Sequence, residues 1–473
     1  MSDDGLVFTD VPHPVIRQLP GGASVIVSES RAAPHVTFRI LASGGTADDP
    51  PEHAGLSSMT GGLMRAGAAG RDEPALSEEL DSLAARLSAG VGRRHWEIAG
   101  DVTTLRAGHL ERFLDLAADV TCRPRLEDSE FEKSRTRRLS HLRRLGDDQG
   151  GLCARAFEMT AFADHPYGNP SAGTLTTVAR LGPAMIRERH AAAFGAKKGL
   201  FAMAGDISPE EAVDLLSERF GDWSATNQGP EHAAPAPVDG LRATVVDKRD
   251  PGLSQVHFRI GGPLSVRLDS PDYFAFRLAA QILGGDFTAR LNQRLRVEEG
   301  LTYGARWNFT VGSRRCGAGA ISTYAPAKDA VRAIRLAIEE VARFVEEGPT
   351  DDEVRDFKRK LINGFPFRFE TASGIADQHL WRIREELPED WISGYQKQIA
   401  DLTTEEVHGA ARRYIAADRG HLVAVGNADL APALAEMVGG EDQVRLCLPF
   451  EFGVAEANDQ ANDQAEAPSG GSS

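Results

Sequence analysis

The chain repeats itself at an interval of about 220 residues, and this repeat limits the possible fold more than any single motif does. The segment VTFRI at 36–40 returns as VHFRI at 256–260, which is 220 positions later. The segment FAMAGD at 201–206 returns as LVAVGN at 422–427, which is 221 positions later. The spacing predicts two homologous halves.

Helices are expected at matching places in the two repeats. Helical segments open 221 residues apart, at Leu181 and Leu402. Further helices follow the second pair of repeats, starting near Pro209 and near Pro432. We therefore predict a first half at 1–224 and a second half at 241–452.

Strands and helices alternate within each half. The run ASVIV at 23–27 and the two FRI segments are rich in β-formers and predict strands. Residues 110–120 and 351–361 contain neither Gly nor Pro and predict amphipathic helices. No glycine-rich phosphate loop follows a predicted strand, so an α+β half, with helices packed on an antiparallel sheet, fits better than a doubly wound fold.

Two segments lack any hydrophobic period. Residues 225–240 are rich in Pro, Ala and Gly and predict a linker between the halves. Residues 453–473 carry the tetrapeptide ANDQ twice and end in SGGSS, a composition that predicts a disordered tail.

Charge, hydrophobicity and cysteine spacing give expectations about partners and compartment. A formal net charge of −16 argues against nucleic acid as the main partner. The N-terminus shows no signal peptide, and no apolar run is long enough for a membrane span. The cysteines are Cys122, Cys153, Cys316 and Cys447, and no two of them form a Cys-x-x-Cys pair. We therefore expect free thiols and a cytoplasmic protein.

The stretch AGLSSMTGGLMRAG at 54–67 predicts a helix with two different faces. One face carries Leu56, Met59, Leu63 and Met64 at helical spacing. The opposite face carries Ser58, Gly61, Gly62 and Arg65. Each glycine costs a helix roughly 1 kcal/mol relative to alanine. Such a cost suggests that something must come close to this face, or that a former function has been lost.

The stretch resembles the zinc helix of the pitrilysin/insulinase metallopeptidases, the family that includes mitochondrial processing peptidase. In the family motif, Ala-Gly-Leu-Ala-His-x-x-Glu-His, the two histidine ligands correspond to Ser58 and Gly62 of this chain and the catalytic glutamate corresponds to Gly61. Serine and glycine cannot replace two imidazoles and a general base. The resemblance thus implies the family's fold without its metal chemistry.

The family's third zinc ligand is a glutamate on a later helix, about two turns before an acidic pair. Here the pair is Asp147-Asp148, and no carboxylate occurs between Lys133 and Leu145. We place His141 near the ligand position, to within a residue or two. The resemblance therefore implies that all three ligands and the base are lost, so that this chain alone holds no zinc and cleaves no peptide. A peptidase with atypical ligands, among them His141, is the less favoured alternative.

The helix predicted at 131–145, which carries His141, is strongly basic. Its arginines either bind an acidic peptide or partner, or form a solvated helix face, which we favour; they are Arg135, Arg137, Arg138, Arg143 and Arg144.

The second half differs from the first, because its own motif is nearly intact. The segment LGGDFTARL at 283–291 leads into LRVEEGLTY at 295–303. This resembles the family's Leu-Gly-Gly…Arg-Leu…Leu-Arg-Glu-x-x-Gly-Leu-x-Tyr signature, with Val297 in place of the usual glutamate. By this resemblance Arg296 and Tyr303 match the arginine and the tyrosine that bind substrate.

Arginine and tyrosine suit the hydrolysis of a peptide bond. The attacked carbonyl develops negative charge on oxygen, to which a tyrosine hydroxyl can donate a hydrogen bond, while a guanidinium adds positive field and anchors the peptide. The alternative is structural: Arg296 would pair with Glu298 or Glu299, and Tyr303 would lie in the core of a strand.

The resemblance implies a function as well as a fold. In the family, the two halves of a chain form a clam shell around a peptide. Some two-chain members divide the zinc helix and the Arg/Tyr motif between their subunits. We therefore hypothesise a non-catalytic subunit of a heterodimeric zinc peptidase. A homologous catalytic partner would hold the zinc, and the substrate would be a peptide or an unfolded polypeptide. The alternative from another class is a purely structural subunit.

Overall fold

The computed structural model describes residues 6–226, 232, 235, 238–312 and 317–455. The strands of the first half are β1 Val15–Gln18, β2 Ser24–Glu29, β3 His35–Ser43, β4 Gly67–Ala68, β5 Arg71–Asp72, β6 Arg86–Val91, β7 His95–Thr103, β8 Lys198–Gly205 and β9 Ser224–Ala225. Its helices are α1 Leu56–Leu63, α2 Glu73–Ser82, α3 His109–Cys122, α4 Asp128–Leu145, α5 Gln149–Ala161, α6 Leu175–Arg180, α7 Pro183–Phe194 and α8 Pro209–Phe220.

The second half repeats this plan. Its strands are β10 Leu241–Asp247, β11 Gln255–Leu264, β12 Arg306–Thr310, β13 Gly317–Pro326, β14 Gly420–Gly426 and β15 Val444–Cys447. Its helices are α9 Tyr273–Gly284, α10 Arg290–Asn292, α11 Ala330–Glu347, α12 Asp351–Gly364, α13 Ala372–Arg384, α14 Tyr395–Asp401, α15 Thr404–Tyr414 and α16 Leu430–Val438. A π-helical turn, Gln293–Glu298, continues α10.

The order of the strands shows the duplication directly. The first sheet runs β1-β2-β8-β3-β7-β6, and the second runs β15-β10-β14-β11-β13-β12, so five successive strands correspond. In both sheets the FRI repeat lies on a central strand with antiparallel neighbours on each side: β3 lies between β7 and β8, and β11 lies between β13 and β14. The predicted fold class, two homologous α+β halves, is confirmed.

The sheets are mixed rather than wholly antiparallel. In the first sheet β2 is parallel to β8, and in the second sheet β10 is parallel to β14 and to β15. Parallel neighbours need long crossovers rather than hairpins, and here most of each half lies between the two strands of the parallel pair. The sequence repeats could not reveal this pairing, because they fix which strands correspond but not their direction.

One face of each sheet packs on helices of its own half. In the first sheet Phe38 lies 6.2 Å from the ring of Phe113 on α3 and 6.4 Å from the ring of Phe220 on α8. In the second sheet Phe258 is buried in a cluster with apolar side chains of α9, α11 and α15. These clusters are the two main cores of the protein.

The opposite face of each sheet is covered by a helix from the other half. Ala376 and Leu380 of α13 pack on Ile26 and Ala202 of the first sheet. In return, Ala156 and other apolar side chains of α5 pack on the second sheet. Each half therefore supplies one helix that completes the core of the other half.

The last described residues also join the two halves. The buried Arg155 of α5 donates hydrogen bonds of 2.6 Å to the carbonyl oxygens of Phe452 and Gly173. Leu175 donates its backbone N–H to the carbonyl oxygen of Gly453 over 3.0 Å, and Val454 is buried. Residues 453–455 are thus packed, although we expected a disordered tail from 453.

The remaining predictions concern the tail, the linker, the cysteines and membrane-spanning segments. The rest of the predicted tail, most of the predicted linker and Cys316 lie outside the described residues. Cys122, Cys153 and Cys447 are free thiols. Among the described helices, none is both long enough and apolar enough to cross a membrane.

Candidate functional site

The predicted zinc-helix segment forms α1, and a buried polar network fixes its first turn. Ser57 donates its backbone N–H to Oδ2 of Asp49 over 2.9 Å, and Arg189 donates to Oγ of Ser57 over 2.8 Å. Burial raises the pKa of the Asp49 carboxyl, while its hydrogen bonds to Ser57 and the charge of Arg189 oppose that rise. A carboxylate at a helix N-terminus satisfies free N–H groups and is favoured by the helix dipole.

The two faces of α1 are as the spacing predicts, with two differences. One is that Met64 is buried in the main core of the first half and not with the other apolar side chains of α1. Leu56, Met59 and Leu63 are buried in a cluster with Phe131 and Leu142 of α4. Gly61, on the other face, is buried as well, since it lies against Val91 of β6.

The two adjacent glycines have different surroundings. A Cβ atom on Gly61 would lie only 2.6 Å from Cγ2 of Val91, so side chains other than hydrogen do not fit there without movement. A Cβ atom on Gly62 would meet nothing within 4 Å, and Gly62 is exposed. One glycine therefore allows α1 to approach β6, and the other borders open space.

Ser58, at the position of the family's first ligand, contacts an arginine. Nη2 of Arg138 on α4 donates a hydrogen bond of 3.1 Å to Oγ of Ser58. Both residues are partly buried. Burial lowers the pKa of the Arg138 guanidinium from its usual value. A cationic side chain thus occupies the helix face that meets the degenerate motif.

The structure does not bring His141 to α1. His141 is exposed, and the α4 side chain that contacts Ser58 lies three residues earlier. Arg138 is partly buried, and it lies four residues, or about one helical turn, before the buried Leu142. His141 is exposed, and its position faces solvent. The α4 side chain that contacts the degenerate motif is thus Arg138 rather than His141.

The residues at this position do not fit a zinc ion. Zinc is bound by thiolates, imidazoles and carboxylates, and Ser58, Gly61, Gly62 and Arg138 offer none of these. A guanidinium at this point also repels a cation. Across the described part of the chain, no group of three or more His, Cys, Asp or Glu side chains is arranged to hold a metal ion.

The Arg/Tyr motif lies on α10, the π-helical turn and the loop before β12. A buried asparagine holds this loop: Asn292 donates to the carbonyl oxygen of Asp286 over 2.7 Å and accepts a hydrogen bond of 2.8 Å from the backbone N–H of Ala305. The π-helical turn carries Arg296, and such turns occur often at functional sites. Asn292 was not singled out in the sequence, where its neighbours Arg290, Gln293 and Arg294 are polar and give no sign that it is buried.

The side chains of Arg296 and Tyr303 are not used to stabilise the fold as the structural alternative requires. Glu298 pairs with Arg294 at 3.0 Å, and Glu299 pairs with Arg294 at 3.3 Å and also with Arg332. The guanidinium of Arg296 instead stacks on the ring of Phe287, 4.3 Å from its centroid. Tyr303 is 80% exposed and lies before β12, not in a strand.

Two exposed apolar side chains accompany this pair. Phe287 is 54% exposed and Val297 is 56% exposed. Large apolar side chains at the surface are most informative when they cluster with functional groups. Here they belong to the same short motif as Arg296 and Tyr303, so this segment presents cationic, aromatic and aliphatic groups to solvent together.

A cavity of about 310 Å³ opens beside β12, which starts three residues after Tyr303. The first half contributes Arg93 and Tyr167 to its lining, and the second half contributes Arg259 and Asn308. The edge of β12 away from β13 has no partner strand among the described residues. An extended peptide could pair with such an edge.

Comparison with known families matches both halves of the chain. The family described as Insulinase (Peptidase family M16) matches residues 25–175. The domain described as Peptidase M16 inactive domain matches residues 181–361. The first match contains α1 and α4, and the second contains Arg296 and Tyr303.

Individual relatives include proteins with and without a peptidase name. The chain is 26% identical to an uncharacterised zinc protease of Mycobacterium leprae, over 84% of this chain and 88% of the relative. It is 22% identical to a non-peptidase homolog of Helicobacter pylori, over 85% of this chain and 91% of the relative.

A solved structure supports the fold. The peptidase M16 inactive domain from Pseudomonas fluorescens superimposes with a TM-score of 0.80 and 23% identity, over 88% of this chain and 98% of that structure.

Proposed function

The chain belongs to the insulinase family of peptidases, family M16, and from this premise we propose that it is a non-catalytic subunit of a two-chain zinc peptidase. In this proposal Arg296 and Tyr303 act on a peptide bound at the active site of a homologous catalytic partner. The partner holds the zinc, and this chain binds no cofactor of its own. The substrate is a peptide or an unfolded polypeptide, and the compartment is the cytoplasm.

The observation that carries the proposal is the state of the Arg/Tyr motif. The acidic neighbours of Arg296 are paired with Arg294 and Arg332, and Tyr303 is 80% exposed. Asn292 meanwhile holds the loop that carries both side chains. A segment whose backbone is fixed and whose functional side chains have no ion-pair partner among the described residues is suited to act on another molecule.

The chemistry of the two side chains matches peptide hydrolysis. The phenolic hydroxyl of Tyr303 can donate a hydrogen bond to the oxygen on which negative charge develops. The guanidinium of Arg296 can bind peptide carbonyl or carboxylate oxygens with two parallel N–H groups. The partner supplies zinc, the attacking water and the glutamate base.

A structural subunit without any role in hydrolysis is the second candidate. The non-peptidase homolog of Helicobacter pylori supports it, since that relative matches the chain over most of its length. Among the described residues, neither Arg296 nor Tyr303 has an ion-pair partner, and this argues for the first candidate. A peptidase with atypical ligands is not supported, because His141 lies on the exposed face of α4.

The test has two stages. The tagged chain is purified from native lysate, and a co-purifying homologue with an intact zinc motif is identified by mass spectrometry. Peptide turnover is then measured for each chain alone and for the reconstituted pair. We expect turnover only with both chains present. A partner that is equally active alone would reject a role in hydrolysis and leave a structural subunit.

A further inference from the structure

Arg138 differs from the other arginines of α4 in where it points. Arg137, Arg143 and Arg144 are exposed, and Arg135 pairs with Glu132 and stacks on the ring of Phe131. Arg138 lies four residues before the buried Leu142 and reaches Ser58 on α1 over 3.1 Å. It is thus the arginine of this helix that faces the degenerate zinc motif.

The guanidinium of Arg138 has no counter-charge in the described part of the chain. No described carboxylate lies within 4 Å of it, and its hydrogen-bond acceptor is the neutral hydroxyl of Ser58. Burial without an opposing carboxylate also accounts for the lowered pKa of this group. A partly desolvated charge without a partner is unfavourable, and a carboxylate offsets that cost.

Space for such a carboxylate lies one helical turn along α1. Gly62 follows Ser58 by four residues, on the same face, and a Cβ atom there would meet nothing within 4 Å. Gly62 is exposed, so this space is open to solvent. Ser58 can accept from Arg138 and at the same time donate its own hydrogen to a ligand.

We propose that Arg138 and Ser58 form a binding site for a carboxylate group of a bound polypeptide. The guanidinium supplies a fork of N–H donors that matches a carboxylate, and the Ser58 hydroxyl supplies a further donor. The carboxylate belongs either to an acidic side chain or to a free C-terminus. The site is separate from Arg296 and Tyr303, so it holds or fails independently of the proposed role in hydrolysis.

The test uses fluorescence anisotropy with the full chain and three labelled decapeptides of one Val/Thr-rich sequence. The first carries a central Glu and an amidated C-terminus, the second a central Gln and a free C-terminus, and the third a central Gln and an amidated C-terminus. We expect the third peptide to bind about 10- to 100-fold more weakly than at least one of the others. Whichever of the first two binds tightly identifies the source of the carboxylate.

Variants of two neighbouring arginines complete the test. Arg138→Gln should reduce binding of the preferred peptide to the level of the third peptide, and Arg138→Lys should give an intermediate affinity because it keeps the charge without the fork. Arg137→Gln makes the same change in net charge at an exposed position and should leave binding unchanged. Thermal unfolding checks that each variant is folded. Equal binding of all three peptides, absence of binding, or equal effects of Arg138→Gln and Arg137→Gln would overturn the proposal.

Discussion

Cγ2 of Val91 lies only 2.6 Å from the point that a Cβ atom on Gly61 would occupy. The neighbouring Gly62 has nothing within 4 Å of the same position. Alanine at either site gains up to about 1 kcal/mol of helix propensity. At Gly61 this gain is opposed by overpacking against a stiff β-branched side chain, at a cost of roughly 1–3 kcal/mol.

We therefore expect Gly62→Ala to stabilise the protein by about 0.5–1 kcal/mol and Gly61→Ala to destabilise it by about 1 kcal/mol. Urea unfolding of the two variants, compared with the unchanged chain, measures both effects. Since the two substitutions are identical and adjacent, each is the control for the other. A stabilising Gly61→Ala would show that β6 and α1 are not in close contact.

A second prediction concerns the third ligand position of the degenerate motif. The variant Ser58→His/Gly62→His/Arg138→Glu should retain about one zinc ion per chain, because its three ligands meet between α1 and α4. The variant Ser58→His/Gly62→His/His141→Glu should retain none, because the position of His141 is exposed. Gly61 is left unchanged in both. Metal content after gel filtration decides between them, and equal zinc in the two variants would contradict the placement of Arg138.

A third prediction concerns Tyr303 in the assembled pair. Tyr303→Phe removes one hydroxyl from an exposed ring, so folding and assembly should hardly change. If the hydroxyl donates to the developing oxyanion, turnover should fall by roughly 10²–10³-fold, mainly in kcat. Arg296→Ala should in addition raise KM, because it removes an anchor for the peptide.

The matched control for Tyr303 is Tyr324→Phe, which removes a hydroxyl from a tyrosine in β13 that stacks on His257. Steady-state kinetics on gel-filtered complexes measures all three variants. Unchanged kinetics for both Tyr303→Phe and Arg296→Ala in a stable complex would assign the chain a structural role.

A fourth prediction follows from the buried His379 of α13. Its pKa is lowered from 6.5 to about 4, chiefly by burial and in addition by the positive charges of Arg382 and His13, while a backbone hydrogen bond with Pro12 opposes the shift. Between these two pH values the unfolded chain binds a proton that the folded chain does not. Stability should therefore fall as the pH drops from 6.5 to 4, by on the order of 1–3 kcal/mol from this group.

The variant His379→Gln should have a shallower dependence of unfolding free energy on pH in this window. Urea unfolding at several pH values measures the slope. The exposed His141→Gln is the control and should leave the slope unchanged. The lowered pKa values of His190, His257 and His421 act in the same direction in all three proteins. Equal slopes for wild type and His379→Gln would contradict the prediction.

Much of the fold follows from the repeats, because their spacing reflects strands that occupy corresponding places. The helices predicted at 110–120 and 351–361 lie within α3 and α12. The exchange of α5 and α13 between the halves was not predictable in this way. An amphipathic pattern shows that a helix buries one face, but it does not show which sheet covers that face.

The candidate site was predictable where chemistry depends on residue type and less so where it depends on orientation. Serine and glycine at the ligand positions already exclude zinc ligation there. Arg138 was counted among the basic residues of its helix but not placed at the motif. Its spacing of seven residues from Phe131 and four residues from Leu142, both buried, was the signal that its side chain points inward.

The exchange of helices also bears on how the chain folds while it is being synthesised. The last long strand of the first main sheet, β8, is complete at Gly205, but the helix that covers the second face of this sheet ends only at Arg384. At a synthesis rate of 5–20 residues per second, that apolar face waits on the order of 10–35 s for its cover. While it is being synthesised, the first half therefore exposes an apolar surface on the ribosome. A chaperone that binds exposed apolar surfaces should bind the chain most strongly during this interval.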